Sequence, residues 1–386
     1  MNMKKNLNLI AALDSFKGAA SSYDAGCAVR RGLQKRFPDA EITIFSLGDG
    51  GEGTCAAFAR AGTPHTFPVS DTHRSPTDAQ YILLDNHGIK TAVFDMAAAA
   101  GLHHSRTHGL DIRSATTLGV GEMIAHLVSI GCGEILVGLG GSGTNDGGIG
   151  ALTAMGARFF TADDTEINGA DGAAVLQDIA SCDLSAVHRL LDGVKLTLLY
   201  DVAVPLTGES GASRMFSRQK GADEATVEEL ECAMTQFAEV CDHIVGEAVS
   251  ARSGAGAAGG LGYGLSLAGG ELHPGAEYVL DFVGFREALA SADLVITGEG
   301  KTDRQTAQGK LPFTVAKYAR DAQVPVVCLC GTFAPDESLY HNGFDAVFSI
   351  INAPSTLEKC MANTESLLET AAYNAAGLFA AAKNLR

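Results

Sequence analysis

The sequence predicts an α/β protein of two domains: a Rossmann-like parallel-sheet domain built from both chain ends, and a second α/β domain inserted in the middle. Three observations carry that expectation. Strand and helix patterns alternate cleanly over the first 60 residues, lapse, and resume near residue 294. The resuming strands are continuous apolar runs, as strands covered on both faces should be. The chain has 386 residues, beyond the roughly 250–300 at which one hydrophobic core stops growing. The domains are placed at 1–68 with 286–386, and at 69–285.

The elements follow in order. Leu7–Leu13 is an apolar run that predicts a strand, and Asp14 and Lys17 end it too soon for a signal peptide. From Ser21, residues Ala25, Ala28, Val29 and Leu33 share one helical face. Ile42–Leu47 is the second strand, followed by a helix through Ala56–Ala61. In the middle, Gln80–Leu84 and Ile89–Met96 read as a hairpin turning at Asn86-His87-Gly88. Strand Glu134–Leu139 then leads into a glycine-rich loop and a helix. The closing block has strands at Leu294–Thr297, Val324–Cys330 and Ala346–Ile351, with helices near Leu311–Ala322 and Leu357–Ala382.

Asp and Glu number 45 against 28 Lys and Arg, a net charge of −17. Such a field repels nucleic acid and acidic membrane surfaces, so any anionic ligand must be held by local cations, metal or backbone N–H groups. The nine cysteines show no CxxC pair and no zinc spacing, and read as reduced core residues of a cytoplasmic protein. No stretch nears 18 uninterrupted apolar residues, so no membrane span is expected. Cys328 and Cys330 alternate along a strand and should face the core together. His103, His104 and His108 lack metal spacing and read as a surface loop.

Four loops follow strands directly: Asp14 to Gly18, Gly48 to Gly53, Gly138 to Gly150 and Thr297 to Lys310. Ligands of parallel α/β sheets bind outside the carboxyl ends of the strands, where glycine lets backbone N–H groups close on phosphate. Acids cluster there: Asp14, Asp49, Glu52, Asp146, Asp201, Glu299 and Asp303. Phosphoryl transfer needs oxygen ligands for Mg²⁺, a cation on the phosphates and a carboxylate to orient the hydroxyl. Lys17, Lys220 and Lys310 stand beside glycines and can meet an anion. The rival reading is a dinucleotide site at Gly138, Gly140 and Gly143, with Asp163 or Asp164 as the ribose acid. Thr144-Asn145-Asp146 inside that turn suits metal and phosphate better. Gly300-Lys301-Thr302 is not a Walker A loop, because Val295 stands where its first glycine belongs.

Together the segments Asp14-Ser15-Phe16-Lys17-Gly18, Asp49 to Thr54, Met96 to Leu102, Gly140 to Gly148, Gln219-Lys220-Gly221-Ala222, Gly254 to Gly262 and Thr297 to Lys310 resemble, in order, the motifs of the type-1 bacterial glycerate kinases. The resemblance runs from about residue 7 to 375. It implies an ATP- and Mg²⁺-dependent kinase that phosphorylates (R)-glycerate to 2-phosphoglycerate, with the crevice between two α/β domains as active site. The alternatives are phosphorylation at the 3-hydroxyl, a related hydroxy acid as substrate, or a degenerate ligand-binding sensor of the same fold. On this footing Asp201, Asp146 and Lys17 are the catalytic candidates. Gly140, Gly141, Ser142, Gly143, Thr144, Asn145, Gly147, Gly298, Glu299 and Lys310 are expected to bind ATP. Asp14, Ser15, Asp49, Glu52, Asp303 and Gln305 are expected to bind substrate, and Asp146 and Asp303 the metal. Glycerate and ATP are the expected partners of a monomer or homodimer. The chain departs from the family pattern at Val204, where Asn is usual, at Tyr200, where a small residue is common, and at Leu13 and Arg218, where Pro is usual.

Overall fold

A computed structural model describes residues 6–51, 53–304, 306–341 and 343–383. It is a mixed α/β protein that separates into two compact units, residues 1–49 with 276–386, and residues 50–275.

The first unit holds a five-stranded, wholly parallel sheet. Its order is Ala346–Ser349, Val326–Phe333, Leu294–Thr302, Asn8–Leu13 and Glu41–Ser46. Helix Ser22–Arg36 starts where Ser21 caps Asp24 N–H at 3.1 Å. It buries Ala25, Ala28, Val29 and Leu33 against Leu9, Ala11, Leu13 and Ile296. The chain end returns as helix Thr364–Ala382 and packs on the same core through Leu368, Ala372 and Ala376. The two helices touch backbone to backbone at Gly32, where a Cβ would lie 2.2 Å from the Glu369 carbonyl. Arg31 pairs with Glu365 and Glu369 at 2.9 Å beside that contact. Both ends of the sequence are thereby needed for one core.

The second unit carries a six-stranded sheet ordered Glu271–Pro274, Lys195–Tyr200, Glu134–Gly138, Ile89–Asp95, Pro76–Asn86 and Thr63–Ser70. The first four strands are parallel and the last two are added antiparallel. The hairpin turns at His87 and Gly88, both with positive φ, the geometry that matches the twist of two antiparallel strands. A small sheet of Glu166–Ile167, Arg158–Phe160 and Ser181–Asp183 and the helix Glu224–Val245 complete the unit.

The unit boundary falls at 49/50, earlier than the 68/69 read from the sequence. The reason is pairing: Thr63–Ser70 zips along Pro76–Asn86 over eight residues and so belongs to the second sheet. The helix placed at Ala56–Ala61 is a single turn at Thr54–Ala57, and the terminal helix breaks in two at Asn363. Cys328 and Cys330 are fully buried as expected, but Cys232 is exposed. No described helix is long and apolar enough to cross a membrane.

Candidate active site

In the first unit the strand order reverses direction between Asn8–Leu13 and Leu294–Thr302, the place where open parallel sheets bind ligands. Asp14 N–H donates to the Gly298 carbonyl at 2.9 Å and ties the two strand ends together. Around them lies a cavity of about 460 Å³. Asp14, Asp49 and Glu299 line it, as do Lys17, Lys301 and Lys310. Ile351, Leu357 and Met361 form an apolar shelf on the same cavity, and Leu357 is 74% exposed.

The carboxylates here are under strain of charge. Asp14 is half-buried; burial, then the neighbouring Asp49 carboxylate, push its carboxyl up to about 7, although the Ser15 N–H at 2.6 Å and Lys17 oppose the shift. Glu299 is buried, which pushes its pKa above the usual carboxylate range as well. The hydroxyls of Thr306 and Thr302 donate to its Oε1 at 2.6 and 3.1 Å, and Lys310 stands 3.6 Å from Oε2. Asp303 is joined to Lys301 at 2.8 Å.

In the second unit the loops again leave the carboxyl ends of parallel strands. Asp95, at the end of its strand, accepts from the N–H groups of Gly53 and Cys55, both at 2.9 Å. The loop after Glu134–Gly138 is stitched down by Leu139 N–H to the Leu199 carbonyl and Gly143 N–H to the Ala100 carbonyl. Its Asp146 is fully buried. One oxygen accepts from Thr117 N–H and Oγ1, both at 2.8 Å, and from Gly150 N–H at 3.3 Å; the other accepts from Gly148 N–H at 3.1 Å. Burial raises its pKa, and these donors counter the rise. Gly147 and Gly148 have positive φ, which the sharp exit into helix Ile149–Ala154 requires.

The structure therefore sorts the expected residues into two groups. Asp14, Ser15, Lys17, Asp49, Glu299 and Lys310 do line one cavity, and Gly298 lies at its base through the bond to Asp14. Asp146, expected to reach a metal and to act in catalysis, is fully buried and accepts from four donors, three of them backbone N–H groups. Of the glycine loop, Gly140, Gly143, Thr144, Asn145 and Gly147 are buried too, and only Gly141 and Ser142 are open to solvent. Asp201 is exposed just past strand Lys195–Tyr200. Glu52 and Gln305 lie outside the described residues. The dinucleotide reading has no support in the geometry, since Asp163 and Asp164 sit at the exposed tip of a hairpin in the small sheet. Among the described residues no group of three His, Cys, Asp or Glu is placed to hold a metal.

Sequence reasoning missed Thr117, Asp95, Lys301 and the apolar shelf. Thr117 precedes a helix and carried no signal, while Lys301 was visible inside the Gly300-Lys301-Thr302 decoy. The departures are also placed. Arg218 faces outward and pairs with Glu224 at 2.7 Å. Val204 uses its carbonyl to accept from the N–H groups of Gly254 and Gly256, both at 3.1 Å. Tyr200 fills the space over Gly254, where a Cβ would come within 2.3 Å of its ring.

A cavity lined by lysines and carboxylates at the switch point of a parallel sheet is the arrangement of an α/β protein that takes a small ligand there. Comparison with known proteins narrows the class. The family model described as Glycerate kinase family matches residues 9–380. The chain is 39% identical to a protein of Bacillus cereus named Glycerate kinase, over 97% of this chain and 98% of that one. It is 34% identical to a protein of Escherichia coli named Glycerate 2-kinase, over 97% and 98%. A crystal structure described as a glycerate kinase 2 from Salmonella typhimurium LT2 superposes with a TM-score of 0.85 at 36% identity, covering 98% of this chain and all of that one. The chain belongs to the glycerate kinase family and is a kinase.

Proposed function

We propose that this enzyme transfers the γ-phosphoryl group of ATP to the 2-hydroxyl of (R)-glycerate, giving 2-phosphoglycerate and ADP, with Mg²⁺ as the metal. The observation that carries the proposal is the cavity of the first unit, which joins three lysines, three acids and an apolar shelf at one set of strand ends. A nucleotide has that composition: an apolar ring and a chain of anionic oxygens that need cations. Support for glycerate as acceptor comes from the names of the relatives, and for the 2-hydroxyl from the Escherichia coli relative's name.

The donor set suits Mg²⁺. This ion takes one or two carboxylates and fills its remaining positions with water and phosphate oxygens, so it does not require three protein acids. Burial first, and then the neighbouring Asp49 carboxylate, push Asp14 up to about 7, and a divalent cation beside the two acids would favour the ionised form. When bound, Mg²⁺ supplies charge neutralisation on the phosphates. Lys17, Lys301 and Lys310 add the remaining positive charge, and Ile351, Leu357 and Met361 receive the base. Asp303, salted to Lys301, steers that lysine. On the second unit, the open edge of the glycine loop at Gly141 and Ser142 is assigned an anion contact of its own. Asp201 takes the proton of the attacking hydroxyl; the new oxygen–phosphorus bond forms as the bridge to the β-phosphate breaks, and the electron pair leaves on ADP.

The test is one incubation of the protein with ATP, Mg²⁺ and (R)-glycerate, followed by phosphorus and carbon NMR of the product. The proposal expects 2-phosphoglycerate. A 3-phosphate would move the reacting hydroxyl, and thermal stabilisation by ligands without any ADP would make the protein a sensor.

A further inference from the structure

Behind the glycine loop runs a segment whose exposed and buried faces differ sharply. Helix Ala212–Phe216 continues through Ser217 into the turn Arg218–Lys220 and stops at Gly221, whose φ is +100°. Ser213, Ser217 and Lys220 recur at helical spacing, and all three are buried: Ser213 and Ser217 fully, Lys220 at 1% exposure. Arg214 and Arg218, on the other face, reach out to Glu209, Glu228 and Glu224.

Every polar side chain of the buried face ends on the glycine loop. Asn145 Nδ2 donates to Ser213 Oγ at 3.0 Å, and Ser217 Oγ donates to Asn145 Oδ1 at 3.3 Å. Lys220 Nζ donates to Ser142 Oγ and to the Thr144 carbonyl, both at 2.8 Å. A lysine is almost never buried without a carboxylate in contact, because removing its charge from water is costly. Here its partners are a hydroxyl and a carbonyl, both neutral, and the hydroxyl belongs to Ser142, one of two loop residues open to solvent. The charge is thus stationed one side chain beneath the loop's open edge. Burial pushes the pKa of the ammonium down to about 7 and the Asp146 carboxylate opposes the shift, so an anion at the loop edge would favour the protonated form.

We propose that Ser213, Ser217 and Lys220 are positioning residues for phosphoryl transfer: the two serines fix Asn145 and the loop backbone, and Lys220 places a buried positive charge under Ser142 that favours a phosphate-class anion at the Gly141–Ser142 edge. This rests on the reading of that edge as an anion contact, and it assigns the attraction to a residue that need not touch the ligand. The two serines act on shape and so on turnover. The lysine acts on charge and so on affinity.

The experiment compares Lys220→Met, Lys220→Arg and Ser217→Ala with wild type by steady-state kinetics, by thermal melting, and by calorimetric titration with inorganic tripolyphosphate. Lys220→Met is expected to raise the KM for ATP and the Kd for tripolyphosphate about 30-fold, the size of one lost charge-assisted contact. Lys220→Arg should recover most of that affinity, and Ser217→Ala should lower kcat about fivefold with KM nearly unchanged. If Lys220→Met melts early yet binds and turns over like wild type per folded molecule, Lys220 is only structural and the inference fails. Equal loss in the Met and Arg variants, with both folded, also overturns the role of charge. Should Lys220→Met not fold, Lys220→Arg and Ser217→Ala still decide through the KM-against-kcat split. A wild type that makes no ADP would remove the kinase proposal and leave the tripolyphosphate titration to judge this one.

Discussion

The two units handle carboxylates in opposite ways. In the second unit Asp146 is sealed from water and each of its oxygens is met by donors from its own loop and from Thr117. In the first unit Asp14 faces a cavity, accepts from the Ser15 N–H alone among the bonds described for it, and is crowded by Asp49 and Glu299. Satisfied polar groups stabilise a shape, whereas charge left in conflict inside a cavity is what an arriving ion or substrate can relieve. The contrast separates a carboxylate satisfied inside its own loop, Asp146, from one that lies open on a cavity, Asp14.

The largest effects should come from breaking the unsatisfied side. Asp14→Asn is expected to lower kcat about a thousandfold, on the scale of losing one metal-anchoring carboxylate. It should also make the protein more stable at pH 8. The sign follows from the raised pKa: Asp14 favours the folded state fully when protonated, below about pH 4, and that contribution is lost as pH rises through about 7. A neutral Asn keeps it, on the order of 2 kcal/mol at pH 8 after allowing for partial exposure. Melting curves at pH 5 and pH 8 measure this; equal stability of wild type and variant at both would show that the acids are not in conflict. The same raised pKa predicts that the Mg²⁺ concentration for half-maximal rate rises as pH falls from 8 to 6, because protons and metal compete for Asp14. A pH-independent requirement would move the metal elsewhere.

The satisfied side should break differently. Asp146→Asn puts an amide NH₂ against N–H donors and leaves at least one of them unpaired in a dry site, at a cost of about 2–4 kcal/mol. For a unit of this size that is a fall in Tm of roughly 8 °C. The fraction that remains folded is expected to retain Mg²⁺ affinity, which a titration at low temperature would measure. A variant of unchanged Tm that no longer responds to Mg²⁺ would restore Asp146 as a metal ligand.

Much of the scaffold was legible because it depends on local pattern. The strands of the first unit, the capped helix after Ser21 and the Asn86-His87-Gly88 turn all follow from periodicity and turn chemistry. The boundary near residue 50 was not, since Thr63–Ser70 reads the same whichever sheet it joins and only its pairing with Pro76–Asn86 decides. The site was half legible. Acids beside glycines at strand ends mark loops that line the first unit's cavity, but whether a carboxylate is open or sealed depends on distant partners. Thr117 lies 29 residues before Asp146, and Lys220 lies 76 residues beyond Thr144. No spacing rule links such pairs, so the polar run Thr144-Asn145-Asp146 looks like reactive chemistry and folds as a closed clamp.

The smallest expected effect tests whether a departure from the family pattern carries function. Arg218 stands where proline is usual, next to Gln219 and Lys220, and from the sequence it invites the idea of altered activity. In the fold its guanidinium points away from the glycine loop, with Nε and Nη2 each 2.7 Å from one oxygen of Glu224 and Nη1 donating to the Arg214 carbonyl. Both side chains of the pair are well exposed, and exposed ion pairs contribute little. Arg218→Ala should therefore change Tm by no more than about 1 °C and leave kcat and KM within about twofold of wild type. Lys220→Met, two positions on but turned inward, should change affinity by more than tenfold. A functional loss in Arg218→Ala as large as that in Lys220→Met would mean that the outer face also reaches the reaction, and the division of this segment into a solvated side and a loop-holding side would fail.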